Sequence, residues 1–310
     1  MYNIERFLSS ETSSLQEENR VTEESDNFDD ELLMETHIPA KVSGLAWEEN
    51  CSNVLSCVDY DGIFSRLDVA TGKIITEGDS HNGRRIWSLR CGQEFSGYRN
   101  KYITASEDGT CGIWEGDCEA AVLKIEPEQT GHHRSSCCSA EFLSNDKPLI
   151  IMALSDSSIQ VFDLRYKGRV GGWYAHSGPV SGLRIAGSTM VSSSTDSSAA
   201  LWDLNNCVET PKIIRRFRGH VNTRNFVGLS LRKDGFVACG SEIGDFYTYY
   251  KNWEMPISRQ LIKSNRNGHG VPKTYEISSA LSWHPCDCHQ ILFSGSSTGG
   301  IHAYKHIQVN

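Results

Sequence analysis

Histidines at positions 37, 81, 132, 176 and 220 open successive, similar stretches of this chain, 44 to 51 residues apart. No other feature constrains the fold as tightly, because a unit of that length is the size of one four-stranded propeller blade. Each histidine precedes a strand-like run: KVSGLAW, RRIWSLR, SCCSAEF, VSGLRIA and NFVGLSL. Further on, a strand of small residues meets an acidic turn, at Asp61, Asp108, Asp156, Asp196 and Glu242. A third strand then closes on Leu67-Asp68, Trp114-Glu115, Phe162-Asp163 or Trp202-Asp203, and the fifth unit reads FYTYY instead. A sixth unit (ISSALSWHP, QILFSGSSTGG, IHAYK) ends the repeats with three strands. The pattern predicts an all-β propeller with six recognisable blades over residues 31–310.

Two physical consequences follow from the repeat. Buried polar groups must be paired, so the histidine, a Ser or Thr, the turn acid and the Trp are expected to hydrogen-bond in series within a blade. The fullest set is His176, Ser192 or Ser194, Asp196 and Trp202; Phe162 and Leu67 lack an indole donor and mark degraded copies. A three-stranded last unit also leaves an open sheet edge, which proteins cover or pair. Glu31 to Thr36 is the expected fourth strand, pairing with Gly300 to Lys305 and closing the ring. The polar stretch from Asn252 to Tyr275 reads as a fourth strand of the fifth unit plus a long loop.

Net charge is −9 over 310 residues. Residues 1–36 hold eleven acids against Arg6 and Arg20, so the body is balanced. Residues 1–30 are rich in Ser, Glu, Asp and Asn, too polar to offset the entropy of ordering, and are expected to form a disordered acidic arm. A balanced body gives no reason to expect nucleic-acid binding, which needs basic patches. No apolar run approaches the ~20 residues that span a bilayer, so no membrane partner is expected. The first residues lack a secretory pattern, and a cytosolic or nuclear setting is expected. The eleven cysteines, an odd number mostly in strand-like runs, read as reduced thiols.

Catalytic and metal motifs in the sequence lack the context their chemistry needs. GSSTG at 295–299 fits a nucleophile-elbow pattern, yet it lies between strands with no helix after it, so a turn is the expectation. His284, Cys286, Cys288 and His289, like His132-His133 with Cys137-Cys138, carry metal-capable side chains at spacings unlike those of zinc sites. No enzyme activity, no metal and no cofactor are expected.

Several stretches resemble one group of WD-repeat proteins. RRFRGHVNTRNFVGLSL with ACGSEIGDFYTYYK, STDSSAALWDL, and IPAKVSGLAW with DYDGIF resemble the plant light-signalling propellers. That group comprises the constitutive photomorphogenesis ubiquitin ligase, its suppressor-of-phytochrome partners and the repressors of UV-B photomorphogenesis (RUP). HNGRRIWS and GHVNTRNFVGL are most similar to the RUP members, as is a propeller with only a short arm. Family propellers carry a further blade upstream of His37, where this chain has its acidic arm. Two readings stay open, a six-bladed closed ring or a ring short of one blade.

The resemblance implies a function as well as a fold. Such propellers bind short Val-Pro peptides with acidic flanks, and the matching positions are Lys41, Tyr60, Arg85, Trp87 and Phe226; the alternative for Trp87 and Phe226 is plain blade core. The implied role is a scaffold that binds the UV-B photoreceptor, promotes its inactive dimer and works in nucleus and cytoplasm. The alternative is a substrate-recruiting subunit of a cullin-type ubiquitin ligase. Its adaptor contact would be Arg165 in Phe162-Asp163-Leu164-Arg165, a position that reads equally as a solvated strand end.

Overall fold

The computed structural model describes residues 36–48, 53–92, 100–116, 118–128, 134–144, 148–205, 211–262, 277–284, 290–297 and 300–305. They form six antiparallel sheets, five of four strands and one of three. The blades occupy residues 42–79, 86–125, 137–174, 180–218, 229–261 and 278–305. Their inner strands are Val42–Trp47, Ile86–Cys91, Cys137–Ser144, Val180–Ala186, Leu229–Leu231 and Ser278–Trp283. The fifth blade takes its fourth strand from Ser258–Leu261, inside the polar stretch where one was expected.

Side chains alternate between the two faces of a strand, and middle strands such as Pro148–Leu154, Ser158–Asp163 and Ser198–Asp203 are buried almost without break, so both faces of such a sheet pack on neighbouring blades. Leu143, Ile151, Val161 and Trp173 of the third blade pack with Leu183, Met190 and Trp202 of the fourth. Equivalent clusters join the second blade to the third, the fourth to the fifth, the first to the second and the fifth to the sixth. Among the described residues no such cluster joins the sixth blade to the first. The walls facing that seam stay exposed: Leu45 is 56% and Trp47 48% accessible on one side, Ile301 78% on the other. Of Glu31 to Thr36, expected to supply a closing strand, Thr36 lies in no strand and residues 31–35 lie outside the described residues, as do the arm at 1–30, His132, His133, Cys286, Cys288 and His289.

The polar relay is present in the fourth blade. The Trp202 indole donates to Ser192 Oγ (2.8 Å), which pairs with His176 Nε2 (2.8 Å), and His176 Nδ1 meets Asp196 (3.1 Å). Of the two candidate serines Ser192 serves; Ser194 donates instead to the Gly178 carbonyl. The second blade carries an equally full relay through Trp114, Thr104, His81 and Asp108. In the fifth blade His220 turns to the Tyr249 hydroxyl at 3.0 Å, and burial holds its imidazole down to about 4. His37 is exposed and opens no relay.

Burial opposes ionisation of Asp196, but hydrogen bonds from His176, Ser198 and the Ser177 backbone outweigh it and hold the carboxyl well below its usual range. Its folded pKa lies below the unfolded one, so the stability it confers is present above the ordinary carboxylate value and is lost as pH falls through and below it. Asp196→Ala is expected to lower stability by about 1 to 3 kcal/mol at neutral pH, because buried donors lose their acceptor. Urea unfolding of both proteins checks this, and coincident midpoints would contradict it.

Candidate peptide-binding face

The inner strand of the first blade pairs with its second strand so that Val42 lies opposite Asp59. Residues just before an inner strand and residues in the next turn therefore reach the same end of the propeller. Lys41 and Tyr60 meet there, with the Tyr60 N–H donating to the Lys41 carbonyl at 3.0 Å. Asp59 Oδ1 shapes the turn by accepting from the N–H groups of Asp61 (3.0 Å) and Ile63 (2.9 Å). Gly62 completes it at φ 84°, where a Cβ would come within 2.7 Å of the Arg84 carbonyl. Glycine is required at this position, both for the positive φ and for the close approach of the second blade.

That approach brings Arg85 and Trp87 to Tyr60. The Lys41 ammonium lies 5.0 Å and the Arg85 guanidinium 5.3 Å from the Tyr60 ring centroid, and Arg85 is 5.8 Å from the Trp87 ring. Tyr60 and Trp87 meet edge to face at 5.6 Å. Phe226, which precedes the inner strand of the fifth blade, reaches Trp87 with ring centroids 4.9 Å apart. All five residues singled out by resemblance thus form one contiguous group drawn from three blades. Trp87 and Phe226 are only half-buried, and neither belongs to an inter-blade apolar cluster. Lys41 and Arg85 are exposed at the rim, with Glu107 4.0 Å from Arg85.

The chemistry of this face is a set of apolar walls with cations at the edge. Aromatic rings offer rigid, dehydrating contact area, and exposed Lys and Arg attract acidic groups; the combination is that of an interface hot spot. One contributor was not legible from residue type alone. The turn acid of the fifth blade, Glu242, accepts from the N–H groups of Thr223 (3.0 Å), Arg224 (2.7 Å) and Asn225 (2.6 Å), directly before Phe226.

Arg165 lies elsewhere, after the third strand of the third blade. Its guanidinium pairs with both oxygens of Asp163, at 3.1 and 2.6 Å, and lies 5.3 Å from the Tyr166 ring. The side chain is 54% accessible. All seven cysteines among the described residues have free thiols. Burial pushes the Cys57 thiol up to about 11 and the Cys138 thiol to about 12.

The WD domain, G-beta repeat family matches residues 72–115. WD repeat-containing protein RUP2 of Arabidopsis thaliana is 31% identical over 273 residues, which cover 86% of this chain and 72% of that protein. RUP1 of the same plant is 35% identical over 225 residues, 71% of this chain and 56% of RUP1. The E3 ubiquitin-protein ligase COP1 of Pisum sativum is 29% identical over 229 residues, 73% of this chain but only 32% of the ligase. Among solved structures, the β-propeller domain of Myceliophteria thermophila Cps50 (Swd1) superposes with a TM-score of 0.68 at 12% identity, covering 86% of this chain and 84% of that one. The computationally designed Ika8 protein gives 0.60 at 18%, covering 86% and 71%. These two likenesses speak for the propeller fold alone. With its repeats, its six blades and its extent of identity to RUP2, the chain belongs to the RUP family of WD-repeat proteins.

Proposed function

We propose that this chain is a non-catalytic regulator in light signalling that binds the UV-B photoreceptor through the face built by Lys41, Tyr60, Arg85, Trp87 and Phe226. Binding favours the return of the receptor to its inactive dimer and competes with the ubiquitin ligase for the receptor tail, in both nucleus and cytoplasm. The observation that carries this reading is the meeting of five residues, separated by up to 185 positions, in one half-exposed aromatic group with a cationic rim. A Val-Pro segment fits between apolar walls, and acidic flanking residues pair with Lys41 and Arg85. The test is the rate at which UV-B-monomerised photoreceptor re-forms its dimer. Wild type is expected to accelerate it. Lys41→Ala is expected to act about threefold more weakly at low salt and to converge on wild type at high salt, as an exposed charge contact does. A rate unchanged by wild-type protein would overturn the proposal.

The second reading, a substrate-recruiting subunit of a cullin-type ligase, draws support from the accessible Arg165 beside Tyr166. Its support is weaker, because the guanidinium already has both carboxylate oxygens of Asp163 as partners. Adaptor pull-down that is lost in Arg165→Ala would favour it.

A further inference from the structure

We infer that Glu242 is a positioning residue of the peptide face: its carboxylate holds the segment that presents Phe226 to Trp87. The inference rests on the proposed peptide-binding reading and adds to it a residue outside the aromatic group.

One methylene sets the fifth blade apart. In the second and fourth blades the turn acid is aspartate and joins the relay, with Asp108 3.1 Å from His81 and Asp196 3.1 Å from His176; Asp196 also accepts the N–H of Ser177, the residue directly after that histidine, at 3.0 Å. The fifth blade has glutamate at that place, and its histidine, His220, pairs with Tyr249 instead. The longer side chain is free to reach the segment that follows His220. There Oε1 accepts three consecutive backbone N–H bonds, from Thr223, Arg224 and Asn225, and Oε2 accepts the Thr223 hydroxyl at 2.9 Å. Burial opposes this charge, but those hydrogen bonds outweigh it and keep the carboxyl ionised, below its usual range. Four donors to one carboxylate are charge-assisted bonds, stronger than neutral ones.

Phe226 is the next residue. Beyond it, Gly228 donates to the Ser278 carbonyl (2.9 Å) and accepts from the Gly240 N–H (2.8 Å). A Cβ on Gly228 would come within 2.7 Å of the Ala280 and Leu281 backbone, so the chain is pinned tightly against the sixth blade there. Phe226 therefore sits on a short span fixed at both ends, by Glu242 before it and by Gly228 after it. Fixing the ring in the unliganded protein removes an ordering cost from binding.

The experiment pairs calorimetric titration of a synthetic Val-Pro peptide with an acidic flank and the nuclear magnetic resonance signal of the Trp87 indole in unliganded protein, assigned with Trp87→Phe. The Phe226 ring, 4.9 Å away, shifts that signal by its ring current. Glu242→Ala is expected to weaken binding about tenfold and to move the indole signal. Glu242→Gln keeps an acceptor oxygen and is expected to stay within about threefold, with the signal in place. Glu242→Asp keeps the charge but shortens the reach, and is expected to behave as Glu242→Ala; it takes that variant's place if Glu242→Ala does not fold. A folded Glu242→Ala or Glu242→Asp protein with an unmoved indole signal, or with wild-type affinity, overturns the inference. Wild type that fails to bind the peptide overturns the peptide reading, while the indole signal still decides whether Glu242 holds Phe226.

Discussion

Trp87→Ala is expected to weaken binding of a Val-Pro peptide by about 2 kcal/mol or more, roughly thirtyfold, because a desolvated aromatic anchor is lost at the centre of the face. Trp87 is the one member of the group that touches Tyr60, Arg85 and Phe226 together. Its removal takes away a wall and also leaves the other two rings without their common neighbour. The fold is expected to survive. Trp87 is half-buried and stands outside the cluster of Val58, Phe64, Ile86, Leu89, Tyr102 and Trp114 that welds the first blade to the second. Calorimetric titration with circular dichroism as the folding control reads both effects. Wild-type affinity in a folded Trp87→Ala protein would show that the ring is not an anchor.

Trp114→Ala is expected to have the opposite profile, a loss of about 3 to 5 kcal/mol of stability, the range for truncating a buried large aromatic. Trp114 is fully buried and stacks on Phe64 with centroids 4.7 Å apart. Its indole also donates to Thr104 Oγ1 at 3.0 Å, so truncation opens a cavity and removes the first donor of the second blade's relay. Trp114→Phe separates the two terms. It keeps most of the ring and loses the donor, and is expected to cost about 1 to 2 kcal/mol. Urea unfolding midpoints check the series; a Trp114→Ala protein within about 1 kcal/mol of wild type would contradict the packing argument.

Much of this architecture could be read from the order of residues because a propeller writes its period into the chain. His81, His176 and His220 return with Asp108, Asp196 and Glu242 20 to 27 residues further on, and each set marks one sheet. The register of a seam is harder to read. Leu45, Trp47 and Ile301 look like core residues of a closed ring, yet they face the seam between the sixth and first blades and stay exposed. Whether a wall has a neighbour is a property of the assembled ring, and no single strand encodes it. The second blade's relay shows the same limit, since Thr104 and Thr110 take places filled by Ser192 and Ser198 in the fourth blade.

The face itself was legible only through resemblance. Places near blade openings put Lys41, Tyr60, Arg85, Trp87 and Phe226 toward one end of the channel, where they can converge, but which of them touch depends on how the blades are set around it. Gly62 and the Asp59 turn bring the first blade to the second, and Glu242 steers the segment before Phe226. Glu242 did carry a signal. It is a glutamate where the second, third and fourth repeats have aspartate, and the extra methylene becomes meaningful only once the N–H groups it reaches are seen.

Recognition of a Val-Pro peptide with an acidic flank by this face is decided by titrating two peptides into the wild-type protein. One carries Val-Pro; in the other Ala-Ala replaces that pair and the acidic flank is unchanged. Saturable one-to-one binding of the first, weakened at least about tenfold in the second, is the predicted result, since the apolar walls supply most of the affinity and the rim charges less. Equal binding of the two peptides, or binding of neither, would contradict it.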